Sequence, residues 1–596
     1  MNANQHFVNI AHKLGVEKKP LEGVFRRMLD KPLFMQAYGN LASNKGSVTP
    51  GTDVSDIADR MSEERIEKII KDLKDKTYQW KPARRIYIPK KNGGTRPLGI
   101  PSFTDKLVQE VMRIILEAYY EPQFRNSSHG FRPKRSCHTA LATIERTWLG
   151  TKWFIEGDIK GCFDNINHEK LLEILGKRIK DNQFLSLIRK MLKAGYLEEW
   201  KYKATHSGTP QGGVISPILS NILLHELDEW IEDELIPKYT GKEKRNYYTP
   251  YWSQRRMYVY NRKRFRKTGK EVYRQRAKER KKAMNQLPSL DPQDNEYKRL
   301  RYVRYADDYL LGFVGSREEA KEIKELIRVK LEELGLEQSE EKTRITHAST
   351  EKASFLGFEI ECDNDKRMAY AKLNGRSLRR RSINGHISLH IPQEVITKYI
   401  RRYSKKGKPH LKYSIVNHSD FEIIKSYGEI WRGLINYYMP ARDVHKLNKV
   451  AYTMLESCVR TLCTKFKSKR HEIYRKYYGE TSTGKKGLKC SFRNKITGKK
   501  HTTEFNEVRI KSGTWPTAAL DYNAGWVGVY KGTELKRRLE AKKCELCGQE
   551  GNCEVHHVRA LKDIENKKMK NQADIMMISR RRKQLIVCKK CHRKIH

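Results

Sequence analysis

Apolar positions along the chain change their spacing several times, and each change predicts a different element. Near the start Phe7, Ile10 and Leu14 recur at helical spacing, which predicts a short amphipathic helix. Helical patterning continues to about Lys81, broken by the turn-rich run from Asn44 through Gly46 and Pro50 to Gly51. From about Pro82 to Leu235 short strand-like and helix-like stretches mix. Strand patterning returns at Arg301 and runs to about Ala371. Two β-like runs there, Arg301–Tyr305 and Tyr309–Val314, predict a hairpin with an acidic pair at its turn. Ser316 and Glu319 then make a capping-box pattern, and Ala320, Ile323, Ile327, Leu331 and Leu334 mark a helix that Gly335 ends. That helix is scaffold and carries no chemistry. From about Ser382 to Lys467 the pattern is mostly helical, and from Gly479 to about Gly532 it is rich in Gly, Lys and Thr. No internal repeat is present.

Composition narrows the class. With 596 residues, 38% of them hydrophobic, the chain can build several domains with real cores. Charge then points to the partner. Lys and Arg number 121 against 71 Asp and Glu, a net +50, so a polyanion that releases counterions on binding is the natural complement. The densest basic tract, residues 255–282, interleaves arginine with tyrosine. Such side chains pair with phosphates and stack on bases, and the tract need not be ordered without its partner. No run of about 20 apolar residues exists, which excludes a membrane-spanning helix. Met1 to Gly15 lacks the features of a secretion signal, and Glu17 and Glu22 count against a transit peptide. Of the 11 cysteines, seven are scattered, among them Cys137, Cys162, Cys362 and Cys458. That scatter suits a reducing compartment. The other four form two C-x2-C pairs, which suit a metal.

One constellation of acids carries the first chemistry. Tyr305-Ala306-Asp307-Asp308 sits at the predicted hairpin turn. Two adjacent carboxylates beside apolar strands repel each other unless a cation neutralises them, and hard oxygen ligands suit Mg²⁺. Phe154-Ile155-Glu156-Gly157-Asp158 reads as a strand ending in a third acid, followed by a loop and a helix capped by Asn167 before Leu171 and Leu172. Three carboxylates from adjacent strands make the ligand set of a two-metal phosphoryl-transfer site.

These residues lie within a longer series. Asn44, Gly46, Thr49-Pro50-Gly51 and Asp53 come first, followed by Arg85 to Lys90 and Gly94 to Pro101. Gly130-Phe131-Arg132-Pro133, Asp158 to Asp164, Gly208 to Gly213 and Ser216 to Asn221 come next, then Tyr305 to Asp308, Glu341-Lys342-Thr343 and Phe355-Leu356-Gly357-Phe358. In this order the chain resembles a group II intron-encoded reverse transcriptase and maturase. The resemblance implies a multidomain α+β fold: a right-hand polymerase with fingers, palm and helical thumb, an N-terminal extension, a basic DNA-binding region and a small ββα-metal HNH domain. The implied boundaries are 1–81 for the RNA-binding extension and 82–371 for fingers and palm, with a basic insertion at about 237–300. The thumb and maturase region would span 372–478, the DNA-binding region 479–540 and the HNH domain with its zinc knuckle 541–596.

The family also implies roles. Asp158, Ile159, Asp307 and Asp308 would hold two Mg²⁺ ions. Lys90 and Arg96 would grip the incoming triphosphate, with Lys342 near its phosphates. Phe163 would gate against the ribose 2′-hydroxyl, and Gln211 would contact the nucleotide. The run from Tyr427 through Arg432 to Tyr438, with Ser457 and Thr461, resembles the region that binds intron RNA: tyrosines and cations can stack on bases and grip phosphate, while the apolar faces, with Trp431 and Leu434 as core, pack as a helix bundle. The stretch 479–532 occupies the place of the family's DNA-binding region.

The C-terminus adds a second chemistry. Cys544, Cys547, Cys588 and Cys591 suit a structural Zn²⁺. Between the pairs lies His556-His557, and His592 and His596 close the chain at helical i, i+4 spacing. This resembles an HNH endonuclease, in which His556, His592 and His596 would hold a catalytic Mg²⁺ or Mn²⁺ and His557 would act as general base. Lys583 stands where wider HNH proteins have Asn.

Taken together, the expected activities are splicing of the intron RNA, nicking of target DNA, and synthesis of cDNA from dNTPs primed at that nick. A splicing factor with a vestigial polymerase would have lost acids that are present here, and a homing nuclease alone would not need the nucleotide-site residues. The expected setting is a bacterial cytoplasm, associated with the nucleoid, or an organelle encoding the chain.

Overall fold

The computed structural model describes residues 3–44, 46–89, 93–198, 201–203, 212–291, 294, 296–364, 368–373, 376–381, 385–493, 498, 500–515, 533–565, 567 and 569–595. A four-stranded antiparallel sheet lies at its centre, in the order Arg344–His347, Trp153–Asp158, Asp308–Val314, Arg299–Tyr305. The predicted hairpin forms. Tyr305 faces Asp308, so the turn is Ala306-Asp307. Side chains alternate between the sheet's two faces. Ile155, Leu311 and Phe313 therefore enter one apolar core, while Phe154, Val303 and Leu310 enter another. A sheet covered on both sides explains why its central strand Asp308–Val314 reads as a nearly unbroken apolar run.

Helices cover each face. Arg317–Glu333 buries Ala320, Ile323, Ile327 and Leu331 under the first, with the Ser316 and Glu319 capping box formed. Phe103–Tyr120 and Ser216–Trp230 pack in the same core, joined by the amphipathic helix Ala3–Val16. On the second face lie Asp420–Tyr438 and Leu447–Phe466. Trp431 is fully buried there, and the Tyr427 hydroxyl sits 2.8 Å from that of Ser457. Tyr427, Ser457 and Thr461 thus serve the helix interface, not a surface for bases. Strands Tyr478–Glu480, Lys486–Arg493 and Lys500–Phe505 form a sheet whose Leu488 and Phe505 complete this core.

The basic tract folds into two antiparallel helices, Thr249–Thr268 and Glu271–Gln286, joined at Gly269 with φ +65°. Asn261 and Ala277 are its buried positions, so nearly all of its cations face outward. Arg255 lies over the Trp252 ring at 4.3 Å, pairing cation with aromatic as the sequence pattern suggests. Among the described residues no helix is long and apolar enough to cross a membrane.

The two ends of the chain share one sheet. Strands Cys553–His557 and Gln584–Cys588 pair antiparallel, and the two-residue strand Met61–Ser62 adds to their edge, Met61 facing Val555. Met61 and Val555 are both fully buried in the core that also holds the N-terminal helices.

Candidate active sites

The acidic edge of the central sheet is assembled from backbone register. Asp158 ends its strand directly opposite Asp308. Opposed Cβ atoms in an antiparallel pair lie about 4.5–5.5 Å apart, so the two carboxylates share one patch of surface. The backbone N–H of Ile159 donates to the carbonyl of Asp307 at 3.3 Å, tying the third acid to the same edge. Burial, the Asp307 charge and the Asp158 carboxylate push the Asp308 carboxyl up to about 7. Burial and the Asp158 charge also raise Asp307, while Lys342 and Arg96 oppose that rise. Acids this crowded ionise together only beside positive charge, and all of their donors are oxygens. The residues therefore fit divalent cations of the Mg²⁺ type.

The turn that carries Asp307 is supported from below. Ala306 adopts φ +58°, a conformation that side-chain-bearing residues avoid. Arg304 holds it there. Fully buried, its guanidinium donates to the Ala306 carbonyl at 2.9 Å, to both oxygens of Asp228 at 2.8 and 2.6 Å, and to Ser128 and Asn221. Gly130 closes the other side. A Cβ on Gly130 would sit 2.3 Å from the Ala306 nitrogen, so only glycine allows this approach.

The expected nucleotide residues divide into placed and unplaced. Arg96 lies exposed on the strand Thr95–Ile100, near enough for its charge to act on Asp307. Phe163 sits half-buried in the short helix Cys162–Asn165, its ring edge-on to Phe131 at 6.1 Å. Lys342 reaches the acids themselves, its Nζ 2.8 Å from Oδ2 of Asp158. Lys90 and Gln211, and His596 of the nuclease set, fall outside the described residues.

In the C-terminal module the four expected cysteines converge, their sulfurs all within 4.8 Å of one another. Cys547 and Cys588 Sγ stand 3.9 Å apart, close to the sulfur spacing that a tetrahedral zinc with bonds of about 2.3 Å demands. Although burial opposes it, backbone N–H groups of Cys547, Cys588 and Leu546 bring the Cys544 thiol down to about 7, which favours the thiolate. The set fits zinc.

Two histidines converge beside it. Nδ1 of His556 and Nε2 of His592 approach to 3.1 Å, as two ligands of one cation do. A third donor joins them from the other end of the chain. Asp59 Oδ1 lies 3.8 Å from His556 Nδ1, and its Oδ2 lies 3.6 Å from His592 Nε2. The His557 backbone N–H also donates to Asp59 at 2.7 Å. Burial, helped by the nearby Lys583 charge, pushes the His557 imidazole down to about 4 and leaves it neutral at physiological pH. Among the described residues its buried Nδ1 has no hydrogen-bond partner, and its Nε2 lies 3.5 Å from the Ser47 hydroxyl.

Three families of known proteins match successive parts of the chain. A reverse transcriptase (RNA-dependent DNA polymerase) family matches residues 88–260 and 280–360, a type II intron maturase family matches 390–514, and an AI2M/AI1M-like HNH endonuclease family matches 544–592. The group II intron-encoded protein LtrA of Lactococcus lactis subsp. cremoris is 41% identical over 96% of this chain and 95% of its own length. The chain belongs to the group II intron-encoded proteins. It is a reverse transcriptase and maturase of that family with an HNH endonuclease domain. An uncharacterized 91 kDa protein in the cob intron of Schizosaccharomyces pombe is 36% identical over 96% of this chain and 69% of its own length. A putative COX1/OXI3 intron 1 protein of Saccharomyces cerevisiae is 33% identical over 96% and 68%.

Sequence reasoning did not find three residues of this intron-encoded protein. Arg304 reads as one more cation in a basic chain, and Asp228 as a polar position in a helix. Their pairing spans 76 residues and leaves no local signal. Asp59 is 498 residues from the histidine whose N–H it accepts.

Proposed function

We propose that the acidic edge is a two-metal polymerase centre copying intron RNA into DNA, and that the HNH centre makes the nick that primes it. Asp158, Asp307, Asp308 and the Ile159 backbone would hold two Mg²⁺ ions. When bound, these ions supply the positive charge that eases ionisation of the primer 3′-hydroxyl and offsets the charge on departing pyrophosphate. The chain's own residues do the positioning. Arg96, with Lys90, binds the triphosphate, and a guanidinium suits the fork of phosphate oxygens. Lys342 offsets the acids' charge before the nucleotide arrives and is then free to meet its phosphates. Phe163, braced by Phe131, presents a ring edge where a 2′-hydroxyl would intrude, and Gln211 contacts the nucleotide.

On this reading 82–371 are fingers and palm, 372–478 the thumb and maturase region, 479–540 a DNA-binding region and 1–81 an RNA-binding extension. Outward cations of the helical hairpin 249–286 grip intron RNA phosphates during splicing. In the nuclease, His556, His592 and His596 would hold Mg²⁺ or Mn²⁺, whose charge stabilises the departing oxyanion. His557, neutral at working pH, takes the proton of the attacking water. Zn²⁺ on the four cysteines fixes the frame.

The observation that carries this reading is the register placing Asp158 opposite Asp308. Primer extension on an RNA template tests it. Asp307→Ala abolishes extension, as EDTA does for the unaltered chain, and leaves intron RNA binding intact. Equal loss of binding and extension would refute the division of labour.

A further inference from the structure

The nuclease centre is closed by the other end of the chain. His556, His557 and His592 are 4%, 8% and 2% exposed, and Asp59 is 8% exposed. A phosphodiester inside a duplex cannot reach a centre so covered. What covers it is the segment from Ser47 to Glu64. The Ser47 hydroxyl lies 3.5 Å from Nε2 of His557. Arg60 donates its backbone N–H to the Val555 carbonyl at 2.9 Å, and Met61 and Ser62 extend the nuclease sheet. Glu64 clamps the far end, accepting from Asn552 at 2.6 Å and from Lys589 at 2.7 Å.

Asp59 has the chemistry of a substrate mimic. Its two carboxylate oxygens face the two histidines separately, one each, and one of them also accepts a backbone N–H. A phosphate in the same place would use its oxygens in the same way, as a negative group bridging a cation and an amide donor. Both cannot be there at once.

We propose that the segment around Asp59 is an autoinhibitory plug: the Asp59 carboxylate takes the place at the nuclease metal that the scissile phosphate must occupy, so DNA is cut only after this segment leaves. The same segment lies in the part of the chain read above as RNA-binding, so an RNA that engages it would release the nuclease. That couples cutting to the presence of the nucleic acid to be copied and keeps the free protein from nicking DNA at large.

The proposal rests on the HNH centre being the nuclease, and the experiment separates the two. Supercoiled plasmid is incubated with the full-length chain and Mg²⁺ in the absence of RNA, and conversion to open circle is followed. Asp59→Ala nicks about tenfold faster or more than the unaltered chain, the change expected when a closed form outweighs an open one by that ratio. Glu64→Arg, which loosens the clamp from an exposed position without touching the centre, also speeds nicking. Primer extension on an annealed DNA template, which calls on no RNA contact from residues 1–81, is unchanged in both. If either substitution slows nicking, Asp59 or its segment belongs to the working nuclease and the plug is refuted; if neither changes the rate, it is refuted as well. Adding His557→Ala to Asp59→Ala must abolish the gain. Nicking that survives in the double variant comes from elsewhere and overturns the nuclease assignment itself.

Discussion

Replacing Arg304 with methionine should damage the polymerase from beneath its catalytic turn. Arg304 and Asp228 have side chains fully removed from solvent, 2.6 Å apart. Methionine fills much of the space but leaves the Asp228 carboxylate buried without its counter-charge. Breaking a buried pair from one side costs about 3–5 kcal/mol. At roughly 2–4 °C for each kcal/mol, the apparent melting temperature of the polymerase region falls by roughly 10 °C. The functional effect is separable from the stability effect. Arg304 also donates to the Ala306 carbonyl, and without it the left-handed Ala306 relaxes and Asp307 shifts. A displacement of about 1 Å at reacting groups lowers rates by about 100-fold. Adding Asp228→Asn removes the orphaned charge and keeps an acceptor for the Tyr302 hydroxyl, which lies 2.8 Å from Asp228. That double variant regains most of the lost stability but not the extension rate. Thermal denaturation and single-turnover primer extension, each on the single and double variants, decide the matter. A double variant that recovers both together would refute the idea that Arg304 supports the turn.

Three further outcomes follow from the geometry. Because the Asp308 carboxyl is raised to about 7 by burial and by its acidic neighbours, it is protonated below that pH and a poor ligand. Extension at limiting Mg²⁺ therefore rises as pH increases through about 7, and saturating Mg²⁺ moves the midpoint to lower pH; a midpoint indifferent to Mg²⁺ would contradict the assignment. Gly130→Ala drives a methyl into the Ala306 backbone and reduces extension at least as much as Arg304→Met, while RNA binding measured by filter retention stays the same. Cys588→Ser, or stripping zinc with a strong chelator, unfolds the C-terminal module and ends plasmid nicking but leaves primer extension unchanged; extension lost in parallel would place the cysteines in the polymerase instead.

The acidic centre was legible in the sequence because its signals are local. An apolar run ending in Asp158 and a tight acidic turn between two β-like runs each declare a strand end, and a shared sheet then brings the ends together. The capping box at Ser316 and the cysteine pairs are legible for the same reason. What was hidden depends on contacts between distant segments. Arg304 and Asp228 are ordinary charged residues until folding buries them against each other. In the run around Tyr427 the sequence does not say which side chains pack and which face a partner, and the Tyr427 hydroxyl and ring serve a helix interface. The strands of 478–505 carry too few apolar residues to announce a sheet, since Leu488 and Phe505 do most of the packing. Asp59 is the extreme case, for no spacing rule connects a turn near the start of a chain with histidines near its end.

The most direct test of the central claim is metal-centred backbone cleavage. Fe²⁺ substituted for Mg²⁺ in the presence of ascorbate and peroxide cuts the chain wherever it lies beside the ion. Cleavage at both the Asp158 strand end and the Ala306–Asp308 turn, lost in parallel as Mg²⁺ is added, is the predicted result. Cutting at one of these two segments and never at the other would mean that they do not share a cation, and the polymerase centre described here would be wrong.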